Sequence, residues 1–199
     1  MKRNWRRSTG DRRSRTDDGA PVIVLGIDPG TLATGYGFIA DTPGGMKVLA
    51  CGLIRNNARH PMPMRLRHIY DELRELIGRY RPSEFAIESA FCGKNAQSAL
   101  KLGHARGVSI LAAVEEGIPA SEYSPREVKK AVVGNGNASK EQVQFMIRSL
   151  LRLPNDPMPV DVSDALAVAL CHLHRLTAPA SRHKTWASYI AAHPERVRA

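Results

Sequence analysis

Apolar positions along the chain switch between a period of two and a period near 3.6, and the switches mark out its elements. Pro21 to Asp28 (PVIVLGID) is a short β-branched apolar run closed by Asp28-Pro29-Gly30, which reads as a buried strand stopped by a turn. TGYGFIAD and MKVLACGLI are two further strand-like runs, separated by Thr42-Pro43-Gly44-Gly45, a turn that suits an antiparallel hairpin. From Met64 to Tyr80 the apolar residues Leu66, Ile69, Tyr70, Leu73, Leu76 and Ile77 follow the spacing of an amphipathic helix, and Arg81-Pro82 ends it. SEFAIESA is the next strand, with Glu88 near its end. A long helix is expected from about Asn95 to Gly117, with Gly103, Ala105 and Gly107 keeping part of its surface thin.

A short strand at Pro119–Tyr123 leads into Ser124-Pro125-Arg126-Glu127, a capping box with proline at the first helical position. Ser139-Lys140-Glu141-Gln142 repeats the start signal, and Gly134-Asn135-Gly136-Asn137 between them can continue neither helix. The last helix runs through DVSDALAVALCHLHRL. This order predicts an α/β fold: a mixed five-stranded sheet whose first three strands are antiparallel, with flanking helices and later strands reached by helical crossovers. That is the order of a ribonuclease H-like domain. A dinucleotide-binding fold is disfavoured, because the GYG after the first strand is not GxGxxG and no helix follows there to meet a pyrophosphate.

Of the 199 residues, 43% are hydrophobic and 24% charged, which allows a core in one domain of ordinary size. The domain is expected over residues 21–176, between a disordered basic arm at 1–20 and a poorly ordered basic tail at 177–199. The net charge of +10 is concentrated at the ends: seven Lys/Arg against three Asp in the arm, and four Lys/Arg against one Glu in the tail. The domain keeps +3, so nucleic acid is a reasonable partner, although such charge runs also serve simply as solubilising tails. No apolar run approaches the ~20 residues of a membrane span, and the opening stretch lacks the apolar segment of a secretory signal. Cys51, Cys92 and Cys171 are odd in number and without a CxxC pair, so neither a disulfide framework nor a zinc site is indicated. A cytoplasmic protein, without membrane partners, is expected.

Four acids stand out in apolar surroundings: Asp28 and Glu88 at strand ends, and Asp161 and Asp164 three apart at the start of the last helix. If the two strands are neighbours, all four can converge. Clustered carboxylates need cations, and oxygen ligands suit Mg²⁺ or Mn²⁺. Two ions ~3.5–4 Å apart would suit phosphodiester hydrolysis. Each acid also has a structural reading: Asp161 as a helix N-cap with Asp164 aiding the dipole, Asp28 as a turn former, and Glu88 in a salt bridge to an arginine.

The blocks GIDPGTLATGYGFI, AIESAFCGKNAQSALKLGHARGVSILAA, EYSPREVKKAVVGNGNASKEQVQFMI and DVSDALAVALCHLH closely resemble the RuvC family of bacterial Holliday junction resolvases, in the same order and with similar spacing. The resemblance implies a homodimeric, Mg²⁺-dependent endodeoxyribonuclease that cuts two strands of four-way junction DNA symmetrically in recombination and repair. By position in the motifs, Asp28, Glu88, Asp161 and Asp164 match the family's acidic metal ligands for two Mg²⁺ ions, with Mn²⁺ substituting. Lys129 and Lys140 match positions that hold or activate the phosphodiester. The resemblance further implies a branch-migration complex of RuvA and RuvB as partner. The arm and the tail lie outside the matching core.

Lys94, Lys101, Arg106 and Lys130 lie in the same blocks and are candidate DNA contacts beside Lys129 and Lys140, though surface lysines are commonly just solvated. Phe91, in a glycine-containing loop, is either a core plug or a side chain that stacks on an unpaired base, and the resemblance favours stacking. His104, His172 and His174 read as non-ligands, since the latter two differ by i,i+2 and point different ways on a helix. An actin-like or sugar-kinase-like ATPase needs two copies of this fold, for which 199 residues are too few. A non-catalytic junction binder is expected to lose an acid, and none is missing. A general ribonuclease H or transposase-like nuclease differs only in substrate.

Overall fold

The computed structural model describes residues 21–89 and 96–178, together with Ile190. Its elements run β1 (Ile23–Asp28), β2 (Ala33–Thr42), β3 (Gly45–Arg55), α1 (Met62–Tyr80), β4 (Glu84–Glu88), α2 (Ala96–Glu115), β5 (Ala120–Tyr123), α3 (Pro125–Val133), α4 (Lys140–Leu150) and α5 (Val160–Thr177). The five strands form one sheet in the order β3-β2-β1-β4-β5. The first three are antiparallel neighbours, while β4 pairs parallel with β1 and β5 parallel with β4. This is the mixed sheet that the element order predicts. The turn between β2 and β3 closes with the Thr42 hydroxyl donating to the Gly45 carbonyl at 2.7 Å, and Gly45 takes φ +102°, open to glycine without strain.

Side-chain alternation sorts the sheet into two cores. Leu25 and Ile27 of β1, with Phe85 and Ile87 of β4, pack against α1 and α2, where Ile69, Leu73, Ala105 and Ala112 are buried. Val24 and Ala86 face the opposite way, into the core formed with α3, α4 and α5. Asp28 and Glu88 have the parity of Val24 and Ala86, so alternation alone turns both toward α5. Helix α5 is buried on almost every side from Val162 to Leu173, and its exposed polar groups are confined to its ends.

Both capping boxes form: the Ser124 hydroxyl accepts from the Glu127 N–H and the Ser139 hydroxyl from the Gln142 N–H, each answered by the return bond. Helix α1 begins at Met62, two residues before the expected Met64, because Pro63 sits in the first turn, where no N–H partner is needed. Helix α2 ends at Glu115, before Gly117 with φ +74°. Its outer face carries exposed Leu100 and Leu111, and added Cβ atoms at Gly103 and Gly107 would meet nothing within 4 Å. No helix among the described residues is long and apolar enough to cross a membrane.

Candidate active site

The site forms where β1 and β4 end beneath the first turn of α5. Ile27 stands opposite Ile87 in the parallel pair, so the next residues on the two strands, Asp28 and Glu88, emerge side by side. Helix α5 comes down onto this end of the sheet because glycines leave room for it. A Cβ on Gly35, the β2 partner of Asp28, would lie 2.0 Å from the Asp161 carbonyl oxygen. One on Gly26 would lie 2.1 Å from the Ala165 carbonyl oxygen. Backbone-to-backbone packing thus carries the start of α5 over Asp28.

The acids act on one another electrostatically. The Asp28 carboxyl is pushed up to about 7, first by burial, then by Asp164, Glu88 and Asp161, against a lowering pull from Lys140. Burial and then Asp164 raise Glu88, with Lys140 and Lys129 opposing. Asp164 is raised chiefly by burial and also by Asp161, while Lys140 and Lys129 pull it down. Lys140 Nζ lies 3.5 Å from Asp164 Oδ2, and its side chain is otherwise 69% exposed. Asp28, Glu88, Asp161 and Asp164, with Lys140 and Lys129, are thus electrostatic neighbours at this end of the sheet.

The structural readings of the acids change accordingly. The N-cap of α5 is Pro159, without a side-chain cap bond, so Asp161 is not the cap but a first-turn residue pressed on Gly35. The turn after Asp28 is held by Thr34, whose fully buried hydroxyl donates to the Gly30 carbonyl at 2.7 Å. Arg106 does approach Glu88, but at its backbone carbonyl rather than its carboxylate, and it also pairs with Glu122. Its side chain is only 12% exposed and spans α2, β4 and β5, bracing the strand that presents Glu88.

Lys101 and Lys130 are exposed, on α2 and in the last turn of α3. Phe91 and Lys94 lie outside the described residues. His104 is exposed, and His174 contacts the Ala131 carbonyl at 3.3 Å. The sequence reading did not find the partners of His172. The Glu84 carboxylate, 3.2 Å from Nε2, requires the proton there, so Nδ1 accepts from the Tyr123 hydroxyl at 2.6 Å. The sequence places His172 on the last helix, but nothing local names its partners on β4 and β5.

An all-oxygen donor set of half-buried, mutually repelling carboxylates fits a hard divalent cation such as Mg²⁺ or Mn²⁺. Among the described residues no group of three or more His, Cys, Asp or Glu side chains is already gathered closely enough to hold an ion. Repulsion opposes their closing, and a cation would reverse it.

Comparison with known proteins gives concordant matches. The family model described as crossover junction endodeoxyribonuclease RuvC matches residues 24–172. A protein of that name from Chlorobium phaeovibrioides is 48% identical over 188 residues, covering 88% of this chain and 100% of its own length. One from Saccharophagus degradans is 51% identical over 153 residues, covering 77% and 88%. The structure of Thermus thermophilus RuvC in complex with a Holliday junction substrate superposes with a TM-score of 0.72 at 36% identity, covering 76% of this chain and 92% of that one.

Proposed function

Because the chain belongs to the crossover junction endodeoxyribonuclease RuvC family, it is a Holliday junction resolvase, and we propose that it cuts by metal-assisted hydrolysis at Asp28, Glu88, Asp161 and Asp164. The observation that carries this reading is the placement of the acids at one end of the sheet, with Asp28 and Glu88 side by side at the ends of β1 and β4 and Asp161 packed on Gly35, the β2 partner of Asp28. These four carboxylates would hold two Mg²⁺ ions, with Mn²⁺ as a substitute. When bound, such ions activate water at neutral pH and neutralise charge on the phosphodiester.

The chain's own residues do the rest. Asp28 and Glu88 are presented by a rigid parallel pair and Asp161 and Asp164 by a buried helix, which keeps the ligand geometry stiff. Lys140 and Lys129, whose charges already act on Glu88 and Asp164, would meet the phosphate oxygens as negative charge develops. Lys94, Lys101 and Lys130 would contact the backbone of the arms, and Phe91 would stack on a base at the crossover.

Two symmetric cuts require two sites related by a two-fold axis, hence a homodimer. The outer face of α2, where Leu100 and Leu111 flank the open Gly103 and Gly107, suits that contact. Cleavage in step with branch migration makes RuvA and RuvB the expected partners, in the cytoplasm. The basic arm, residues 1–20, adds nonspecific affinity to the domain.

The test is cleavage of a four-way junction against linear duplex and RNA–DNA hybrid, with and without Mg²⁺. Junction-selective, paired cuts that disappear with Asp28→Asn, Glu88→Gln, Asp161→Asn or Asp164→Asn, while junction binding persists, are expected. A variant cutting at the wild-type rate removes that residue from the site. Sedimentation showing only monomers at micromolar concentration, alongside coupled cuts, removes the dimer.

A further inference from the structure

We infer that a groove on the β3 side of the acids, lined by Arg55 and Arg148, seats the DNA strand as it leaves the active site. The inference rests on the resolvase reading and adds a binding site to it. Strand β3 runs parallel to β1 in this sheet, so its last residue, Arg55, lies at the same end as Asp28. Beside it a groove of about 420 Å³ opens between Cys51–Arg55 and the Pro154–Pro159 linker that leads into α5. Its wall reaches Val162, next to Asp161. A second hollow of about 320 Å³ continues it along α4 past Phe145 and shares Arg148 and Leu153 with the first.

The lining chemistry selects the occupant. The side chains of Arg55 and Arg148 make no hydrogen bond or ion pair with any described residue, and the buried Arg148 Nε has no acceptor. Guanidinium groups without partners beside an active site suit phosphate oxygens. The floor between them is apolar, with Leu53, Leu153 and Met158, which suits sugar and base. Asp156 and Glu141 are the acids present in the two hollows. Phe145, 71% exposed on the rim, offers a stacking surface.

Strand order supplies the direction. Asp28 and Glu88 sit on the neighbouring strands β1 and β4, and the groove lies to one side of them, on the β3 edge. A strand crossing the acids toward that edge therefore arrives at Arg55 and then Arg148. Peptide docking is the competing use of such a groove, but unpaired arginines in a chain of net charge +10 favour a polyanion.

The experiment measures junction binding by the full-length protein in EDTA across a salt series, and cleavage in Mg²⁺. Arg55→Ala and Arg148→Ala should each lower the slope of log affinity against log salt by about 0.9, one phosphate contact apiece. Between 50 and 200 mM salt each variant should therefore lose about threefold less affinity than the wild type. Arg148→Lys should retain the slope, and Arg79→Ala, an equal charge change on α1, should leave it unaltered. On a junction whose cut strand ends within two nucleotides of the scissile phosphate on the groove side, wild type and variants should become alike. If the wild type cuts junctions and the Arg55→Ala/Arg148→Ala protein keeps its full slope, the groove assignment fails alone and a peptide partner takes its place. If the wild type neither prefers nor cuts junctions, the resolvase reading fails and the assignment falls with it.

Discussion

Gly35→Ala tests whether close backbone packing of α5 sets the active site. The new methyl would lie 2.0 Å from the Asp161 carbonyl oxygen and 2.5 Å from its carbon, where ordinary contact begins near 3.4 Å. Backbone atoms cannot turn aside, so the start of α5 must lift by about 1.4 Å, or β2 must yield by as much, beside Asp28. Overpacking of this kind costs about 1–3 kcal/mol, a fall in melting temperature of about 2–12 °C for a domain of this size. Misplacement of catalytic groups by ~1 Å costs on the order of 10²-fold in rate, so activity should fall much further than stability. Gly37→Ala is the internal comparison: its methyl would meet the Leu166 side chain, Cδ2 at 2.6 Å and Cγ at 2.9 Å, which can turn aside, while the nearest helix-backbone atom, Leu166 Cα, stays at an ordinary 3.5 Å. Thermal melts and single-turnover cleavage of a four-way junction by both variants decide the matter. Comparable stability loss with at least tenfold lower activity for Gly35→Ala is expected; equal activities, or a wild-type rate for Gly35→Ala, would refute the reasoning.

Other outcomes follow from the same geometry. With Asp28 pushed up to about 7, the metal-free folded chain binds a proton that the unfolded chain has released, so stability should fall as pH rises from about 4 to 7, by up to about 4 kcal/mol. Asp28→Asn should flatten that trend in urea titrations in EDTA while abolishing cutting, and an unchanged pH slope would count against the buried cluster. His172→Leu leaves the buried Tyr123 hydroxyl without its acceptor and should cost about 1–3 kcal/mol. Adding Tyr123→Phe should then recover part of that loss, and strictly additive effects would show that the pair is not coupled. Deleting residues 1–20 should reduce the salt dependence of junction binding and spare junction preference, whereas Phe91→Ala should slow cutting with little change in salt slope; the reverse pattern would move recognition into the arm.

The local elements were legible in the chain because each depends on neighbours in sequence. The 3,4-spacing of Leu66, Ile69, Leu73 and Ile77, the capping boxes at Ser124 and Ser139, and the Pro-Gly turn after Thr42 all act within a few residues, and each forms where it was expected. Period-two alternation likewise determined that Asp28 shares a face with Val24, and Glu88 with Ala86, before any partner was known. What alternation could not supply is distance between elements. Only tertiary packing brings Asp161 onto Gly35, commits Arg106 to Glu122 and the Glu88 carbonyl, and gives His172 its partners on β4 and β5. Arg106 and Arg148 look alike as letters, basic residues on helices. One is held inside the fold and the other lines an open groove, because a guanidinium binds whichever acceptor the fold places within about 3 Å, and that placement is set by elements the sequence does not bring together.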